Sequence, residues 1–178
     1  MDNISRPISI KTMDEQANKI VSDLMGEYAD SVLRMCYVYL KDYHLAEDVT
    51  QETFIRVMKH YDKFRKESSV KTWIMKIAIN LCKNQMKTWW YKRQNFNDIT
   101  EIAYDASYDG LVDRQELFHE INKLSTKYKE IILLFYYQEM PVSEIAEILK
   151  LKESAVKTRL FRAREQLKLI FLEDESYE

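Results

Sequence analysis

Three sets of side chains recur at helical spacing with types that suggest binding chemistry. The first lies near the C-terminal end: Ser154, Lys157, Thr158, Phe161 and Arg162, with Arg159 and Arg164 beside them. Lys157, Arg159, Arg162, Arg164 and Lys168 face a single acid there, Glu165. Guanidinium and ammonium groups donate to phosphate oxygens and to base-edge acceptors, so this set suits duplex DNA. The second set is Thr72, Lys76, Asn80, Lys83 and Lys87, bordered by Trp89, Trp90 and Tyr91. Cations track a phosphate backbone and aromatic rings offer stacking surfaces to unpaired bases. The third is Asp48, Gln51, Glu52 and Ile55, with Lys59 one turn on. Acids and an amide can meet a basic helical partner, but by residue type alone they better suit a solvated helix face.

What the chain lacks is as informative. Covalent or hydrolytic catalysis needs a nucleophile with its base, a metal cluster or a phosphate loop. His44, His60 and His119 are scattered, Cys36 and Cys82 stand alone, and the only glycines are Gly26 and Gly110. The expectation is a protein that is no enzyme, with no cofactor, no metal and no small-molecule substrate. Two free thiols suit a reducing, cytoplasmic setting. The longest apolar run, Ile131 to Tyr137, is seven residues, far short of the roughly 20 needed to cross a bilayer. No signal-peptide pattern opens the chain, and no direct membrane insertion is expected.

Each set needs an element to hold it. The stretch from Pro141 to Ile170 reads as two helices with a tight turn. The first spans about Val142 to Leu149, with Ile145, Ala146 and Leu149 on its apolar side; Pro141 suits its start. Lys150-Leu151-Lys152 is the turn, with a lysine at the position where glycine would be least strained. The second helix begins near Ser154, a suitable N-cap. Val156, Leu160, Ala163, Leu167 and Ile170 draw one stripe along it. A short helix, a turn and a longer helix with one basic face form the helix-turn-helix pattern, whose second helix suits the major groove. A solvated helical hairpin is the competing reading.

The rest is read the same way. With 178 residues, 46% hydrophobic, two Gly and two Pro, the chain is expected to be all-α, because sheets and phosphate loops need more turns than this. Residues 1–13 lack a period and are expected to be a mobile arm. A helix follows from about Asp14 to Leu40, with Gly26 as a point where it can break. Asp42-Tyr43-His44 is a turn. The next helix, about Leu45 to Tyr61, buries Ala46, Val49, Thr53, Val57 and Tyr61 and carries the acidic set outward. Residues 62–71 form a polar loop in which Ser68 and Ser69 can cap the helix after it. That helix spans about Val70 to Thr88 and packs Trp73, Ile74, Ile77, Ala78, Leu81 and Cys82 inward. The roles of Trp89 and Trp90, core or DNA-facing, stay open. From Ser68 to Asn97 there are six bases and no acid; from Asp98 to Glu120 there are seven acids and only Arg114. Such blocks imply separate partners for separate surfaces. Residues 95–110 read as an acidic linker between two small domains, a flexible tether as readily as a functional segment. A helix from Leu111 to Lys123 and another from Ser125 or Thr126 to about Gln138 complete the second domain. The chain closes in an acidic tail, residues 173–178.

These motifs carry a resemblance. EIAEILKLKESAVKTRLFRAR resembles the second promoter-binding helix-turn-helix of bacterial sigma factors of the extracytoplasmic-function group. LAEDVTQETFIRVMKHYDKF resembles that family's core-polymerase-binding region, and SSVKTWIMKIAINLCKNQMK its minus-ten-recognising helix. The three occur in the family's order and span about Leu24 to Ile170. The resemblance implies a minus-ten domain over residues 14–94 and a minus-thirty-five domain over 111–172. Asp48, Gln51 and Glu52 match the family's D-x-x-Q-E pattern, so they and Ile55 are expected to dock on the coiled coil of the polymerase clamp. The loop residues Phe64, Arg65, Lys66, Ser68 and Ser69, with Asn80, are expected to capture a flipped minus-ten base. Lys76, Lys83 and Lys87 would hold its strand. Lys157, Thr158, Phe161 and Arg162 would read the minus-thirty-five element, with Ser154 and Arg159 nearer phosphates. One departure stands out: the family's usual I-A-R-N reads Ile77-Ala78-Ile79-Asn80 here. The linker, in the family, threads towards the RNA exit path, and its four acids would mimic a nucleic-acid backbone. The implied partners are core RNA polymerase, promoter DNA both double- and single-stranded, and an anti-sigma factor. The alternative is a stand-alone helix-turn-helix regulator that binds duplex operator DNA by itself.

Overall fold

The computed structural model describes the backbone of residues 10–96 and 120–175, and the side chains of residues 19–88, 120–170 and 172. The expected linker and acidic tail fall largely outside these residues. The described elements are helical: α1 (Ile10–Leu40), α2 (Tyr43–His60), α3 (Val70–Phe96), α4 (Thr126–Ile132), α5 (Val142–Leu149) and α6 (Glu153–Glu175).

Helix α1 begins at Ile10, inside the stretch expected to be an arm, and runs unbroken through Gly26. A Cβ built on Gly26 would meet nothing within 4 Å, so no packing demand holds a glycine there. Lys41 ends α1 at φ 60°, and its N–H donates to Tyr37 O at 2.8 Å. The expected turn at residues 42–44 is a helix start instead. Asp42 is the N-cap of α2, with its carboxylate accepting from Leu45 N at 2.9 Å. That bond satisfies one of the donors a helix N-terminus leaves orphaned. Ala46, Val49, Thr53 and Val57 are buried as their spacing implies. Thr50 and Thr53 tolerate burial because each hydroxyl donates to the carbonyl four residues back, at 2.7 Å.

A single 3-10 turn, Tyr61–Lys63, leads into the loop before α3. Ser69 accepts the Thr72 N–H at 3.1 Å, acting as the expected cap. α3 extends past Thr88 to Phe96, so Trp89 and Trp90 stand on helical backbone; their side chains lie outside the described residues. Helix α4 widens into a π-type turn, Leu133–Tyr137, where Gln138 N donates to Leu133 O at 2.9 Å and Met140 N to Leu134 O at 3.0 Å.

The helix-turn-helix is α5 and α6. Lys150 closes α5 at φ 55°, ψ 48°, a left-handed C-cap. Leu151 N then reaches back to Ala146 O at 2.9 Å, the reversal that turns the chain. The turn takes the glycine conformation without the glycine, at a cost of about 1 kcal/mol. Lys66 and Glu139 adopt positive φ too. α6 starts at Glu153, and Lys152 O accepts from Ala155 N and Val156 N. Ser154 therefore lies inside the first turn and is not the cap.

One apolar core runs through both halves. Val32, Met35, Cys36, Ile74, Ala78 and Cys82 join α1 to α3, while Ile131, Leu134, Ile145, Val156, Leu160 and Ala163 join α4, α5 and α6. Full burial of a Val, Leu or Ile side chain contributes roughly 1.5–3 kcal/mol. The α6 stripe (Val156, Leu160, Ala163) is thus enough to hold its basic face outward. The halves meet where α4 and α5 pack on α1 and α3.

Candidate nucleic-acid and partner interfaces

On α2, Asp48, Gln51 and Ile55 are exposed and Glu52 is half-buried. They sit at i, i+3, i+4 and i+7 and so share one stripe. Glu52 is held by Arg56, whose Nε lies 2.7 Å from its Oε1. Ile55 is 40% and Met58 47% exposed. Met58 continues the stripe three residues past Ile55 and escaped the sequence reading, although its spacing was the signal. The result is an apolar patch edged by carboxylates and an amide, which suits a helical partner with apolar and basic groups.

Three rings lie together where the loop meets α3. Phe64 stacks on Trp73 with centroids 4.9 Å apart at 24°, and Tyr61 lies 6.4 Å from each ring. Trp73, expected in the core, is only half-buried and forms the floor of this cluster. Arg65, Lys66 and Ser69 are exposed and Ser68 is half-buried; Arg65 lies 3.8 Å from Glu67. Along α3, Asn80 and Lys87 are exposed. Ile79, where the sequence departs from the family pattern, is 2% exposed. That position belongs to the core here, which has no room for a charged side chain without a partner.

The other two α3 lysines are engaged. Lys76 Nζ is 2.9 Å from Glu147 Oε1, and Lys83 Nζ is 3.2 Å from Glu130 Oε2. The Thr72 hydroxyl donates to Glu144, whose same oxygen lies 3.3 Å from Ser69 Oγ. All three acids come from the helix-turn-helix half. Glu130 is 6% exposed and also accepts from Tyr39 Oη at 2.5 Å. Burial, with the carboxylate second, holds the Tyr39 phenol well above its usual range, so it stays a donor. Gln138, 1% exposed, takes the Ser31 hydroxyl at 2.7 Å and donates to Ser31 O at 3.2 Å. Its own carbonyl accepts Lys71 Nζ at 2.6 Å. Sequence reasoning missed this set, because partners 47 to 107 residues apart leave no local signal.

On α6, Ser154, Lys157, Thr158, Phe161 and Arg162 are exposed and Arg159 is half-buried. Phe161, at 62% exposure, is a large apolar side chain held in solvent. Thr158 Oγ1 donates to Ser154 O at 2.9 Å, so its proton is used within the helix and its oxygen remains an acceptor. Arg164 is fastened sideways: its Nε donates to Tyr136 Oη at 2.6 Å, and the guanidinium lies 5.4 and 5.6 Å from the Tyr136 and Phe135 ring centroids. It braces α6 on the π-type turn. The outward set of cations, a hydroxyl, a methyl and a ring can contact phosphates, base acceptors and thymine methyls.

Comparisons with known proteins agree with this arrangement. Residues 24–96 match the family model for Sigma-70 region 2, and residues 114–167 that for Sigma-70 region 4. The chain is 30% identical over 176 residues to the ECF RNA polymerase sigma factor SigW of Bacillus subtilis (strain 168), covering 89% of this chain and 92% of that one. It is 32% identical over 157 residues to RNA polymerase sigma factor YlaC of the same organism, covering 83% and 90%. Among solved structures, the sigma factor RpoE in complex with the anti-sigma factor NepR from Bartonella quintana superposes with a TM-score of 0.71 at 24% identity, covering 84% of this chain and 96% of that one. CnrH in complex with the cytosolic domain of CnrY gives 0.70 at 20% identity, covering 92% and 97%. Two family models in the same order as the helical halves, and two relatives at 30% identity or more across most of both chains, place it: this chain belongs to the extracytoplasmic-function group of RNA polymerase sigma factors.

Proposed function

We propose that three separate faces divide the work of this alternative sigma factor. The α2 stripe of Asp48, Gln51, Glu52 and Ile55, extended by Met58, docks on core RNA polymerase. The loop residues Phe64, Arg65, Lys66, Ser68 and Ser69, with Asn80, take a flipped base of the minus-ten element. Lys76, Lys83 and Lys87 hold the strand backbone. Lys157, Thr158, Phe161 and Arg162 read the minus-thirty-five element, and Ser154 and Arg159 contact phosphates. Residues 14–94 form the first functional domain and 111–172 the second, with 95–110 between them. The protein catalyses no reaction itself and works in the cytoplasm with the polymerase. An anti-sigma factor is a further partner, a reading supported by the structural neighbour solved with NepR.

The observation that carries this reading is the α2 stripe, where Ile55 and Met58 are kept in solvent beside carboxylates. A stand-alone regulator needs no such face. No helix among the described residues is long and apolar enough to cross a membrane. Run-off transcription tests the reading. Purified protein plus core polymerase should yield specific transcripts from a promoter panel that includes the chain's own upstream region. Protein that bound one of these duplexes tightly and specifically without polymerase, and added nothing to polymerase specificity, would point to the stand-alone regulator.

A further inference from the structure

The methionines whose side chains are described divide by burial. Met35, Met75 and Met140 lie in the core and Met86 is half-buried, whereas Met25 and Met58 are exposed. Exposure matters because a thioether is a latent polar group. A two-electron oxidant that reaches the sulfur makes a sulfoxide, which is polar and chiral. Met58 is the exposed methionine that stands in a proposed binding face. It lies one turn past Ile55, and these two are the exposed large apolar side chains of α2. The rest of the stripe, Asp48, Gln51 and Glu52, is carboxylate and amide. The apolar part of this face therefore depends on two side chains, and one of them is open to oxidation.

We propose that Met58 is an oxidation site through which a peroxide-class oxidant weakens the docking of α2 on polymerase. The inference rests on the α2 docking reading given above and adds a means of regulating that face. In the step with hydrogen peroxide, the sulfur lone pair attacks one peroxide oxygen, an S–O bond forms and the O–O bond breaks. The sulfur is oxidised by two electrons and the peroxide is reduced. The proton on the transferred oxygen passes to the departing hydroxide, which leaves as water. The new oxygen is an acceptor with no proton of its own. Pressed against an apolar group of the partner it finds no donor, and an unpaired polar group buried there carries a desolvation penalty. Met35, Met75 and Met140 are shut in the core, so the fold survives an exposure that converts Met58. The change is reversible, because a dithiol reductase returns a methionine sulfoxide to the thioether, with water and a disulfide as products.

The test treats the full chain with hydrogen peroxide and maps sulfoxides by peptide mass spectrometry. Met58 and Met25 should convert well before Met35, Met75 and Met140, with circular dichroism unchanged. Recovery of core polymerase in a pull-down should fall about tenfold, the scale of one unpaired buried acceptor. It should return after treatment with methionine sulfoxide reductases of both epimer specificities and dithiothreitol. Met58→Leu removes the sulfur, so its recovery, whatever the starting level, should be the same before and after peroxide. Met25→Leu should lose recovery as the parent does. Met58→Gln, polar and of similar length, should weaken docking with no oxidant present. An equal peroxide-induced loss in Met58→Leu, or full recovery of polymerase by chain oxidised at Met58, overturns the inference. Saturating core polymerase tells this failure from failure of the docking reading. Protection of Met58 by polymerase, with docking indifferent to its sulfoxide, leaves α2 in the interface and overturns the oxidation site alone. Oxidation of Met58 at the same rate with and without polymerase overturns both.

Discussion

Asn80 stands exposed on α3 one turn beyond Lys76, next to buried Ile79. Its amide offers a donor and an acceptor to a base edge. Unstacking a base costs a few kcal/mol, which the protein must offset at the flipped position. Asn80→Ala should therefore slow open-complex formation on a duplex promoter while leaving polymerase binding near normal. Permanganate footprints of the variant identical to those of the parent would remove Asn80 from the site. Lys129 allows a prediction of a different kind. It is 6% exposed and donates to Asn122 Oδ1 at 2.8 Å. Burial first, and the Lys41 charge second, lower its pKa from 10.5 to about 8. The folded chain thus releases this proton near pH 8 and the unfolded chain near pH 10.5. Between those values the unfolded state binds more protons, so this group makes stability rise with pH across that window. Below it the buried charge opposes folding by an amount on the order of 3 kcal/mol at most. Lys129→Met should raise the unfolding free energy at pH 7 by about 1–3 kcal/mol and flatten the rise between pH 8 and 10. Urea melts at pH 7 and 9.5 that moved in parallel for parent and variant would contradict this.

At the scale of elements, the chain builds its turns almost without glycine. Lys41, Lys66, Glu139 and Lys150 take the left-handed conformation in the connections between helices, while Gly26 lies mid-helix with open space around its missing Cβ. Exposed helix interiors favour Ala over Gly by about 0.5–1 kcal/mol. Gly26→Ala should therefore raise the thermal midpoint by roughly 2–4 °C; a lower midpoint would mean that α1 needs flexibility there. α6 makes a separate prediction, because its stripe of Val156, Leu160 and Ala163 sets which side chains point out. Arg162 is fully outward and Arg159 lies at the margin. A base-reading contact is worth about 1–3 kcal/mol of discrimination, whereas a phosphate contact weakens all sequences alike. Arg162→Ala should change promoter preference across a panel of minus-thirty-five variants. Arg159→Ala should lower activity evenly; the same profile for both would refute the division.

For the molecule as a whole, polymerase docking is the interaction on which the rest depends. Asp48→Lys reverses charge at an exposed site away from the core, so the fold should survive. Pull-down of core polymerase should fall several-fold, because removing complementary charge at a rim slows encounter and weakens the complex. Undiminished recovery of polymerase would move the interface off α2.

The sequence by itself determined the helices, the helix-turn-helix and the outward sets on α2 and α6. Their signal is local: a 3.6-residue period sorts buried from exposed positions within one helix, and Val142–Leu149 was legible to the residue. Boundaries were less so, since Asp42 and Lys152 cap helices through bonds of their own that periodicity does not register. Tertiary structure alone decided what covers α3. Whether Lys76 and Lys83 meet solvent or carboxylates depends on residues up to 71 positions away. An acid at position 147 looks the same in sequence whether it faces water or an ammonium. Burial of Glu130 beneath Tyr39 and Lys83 is likewise a property of packed helices, set by which surfaces meet rather than by the period of any one of them.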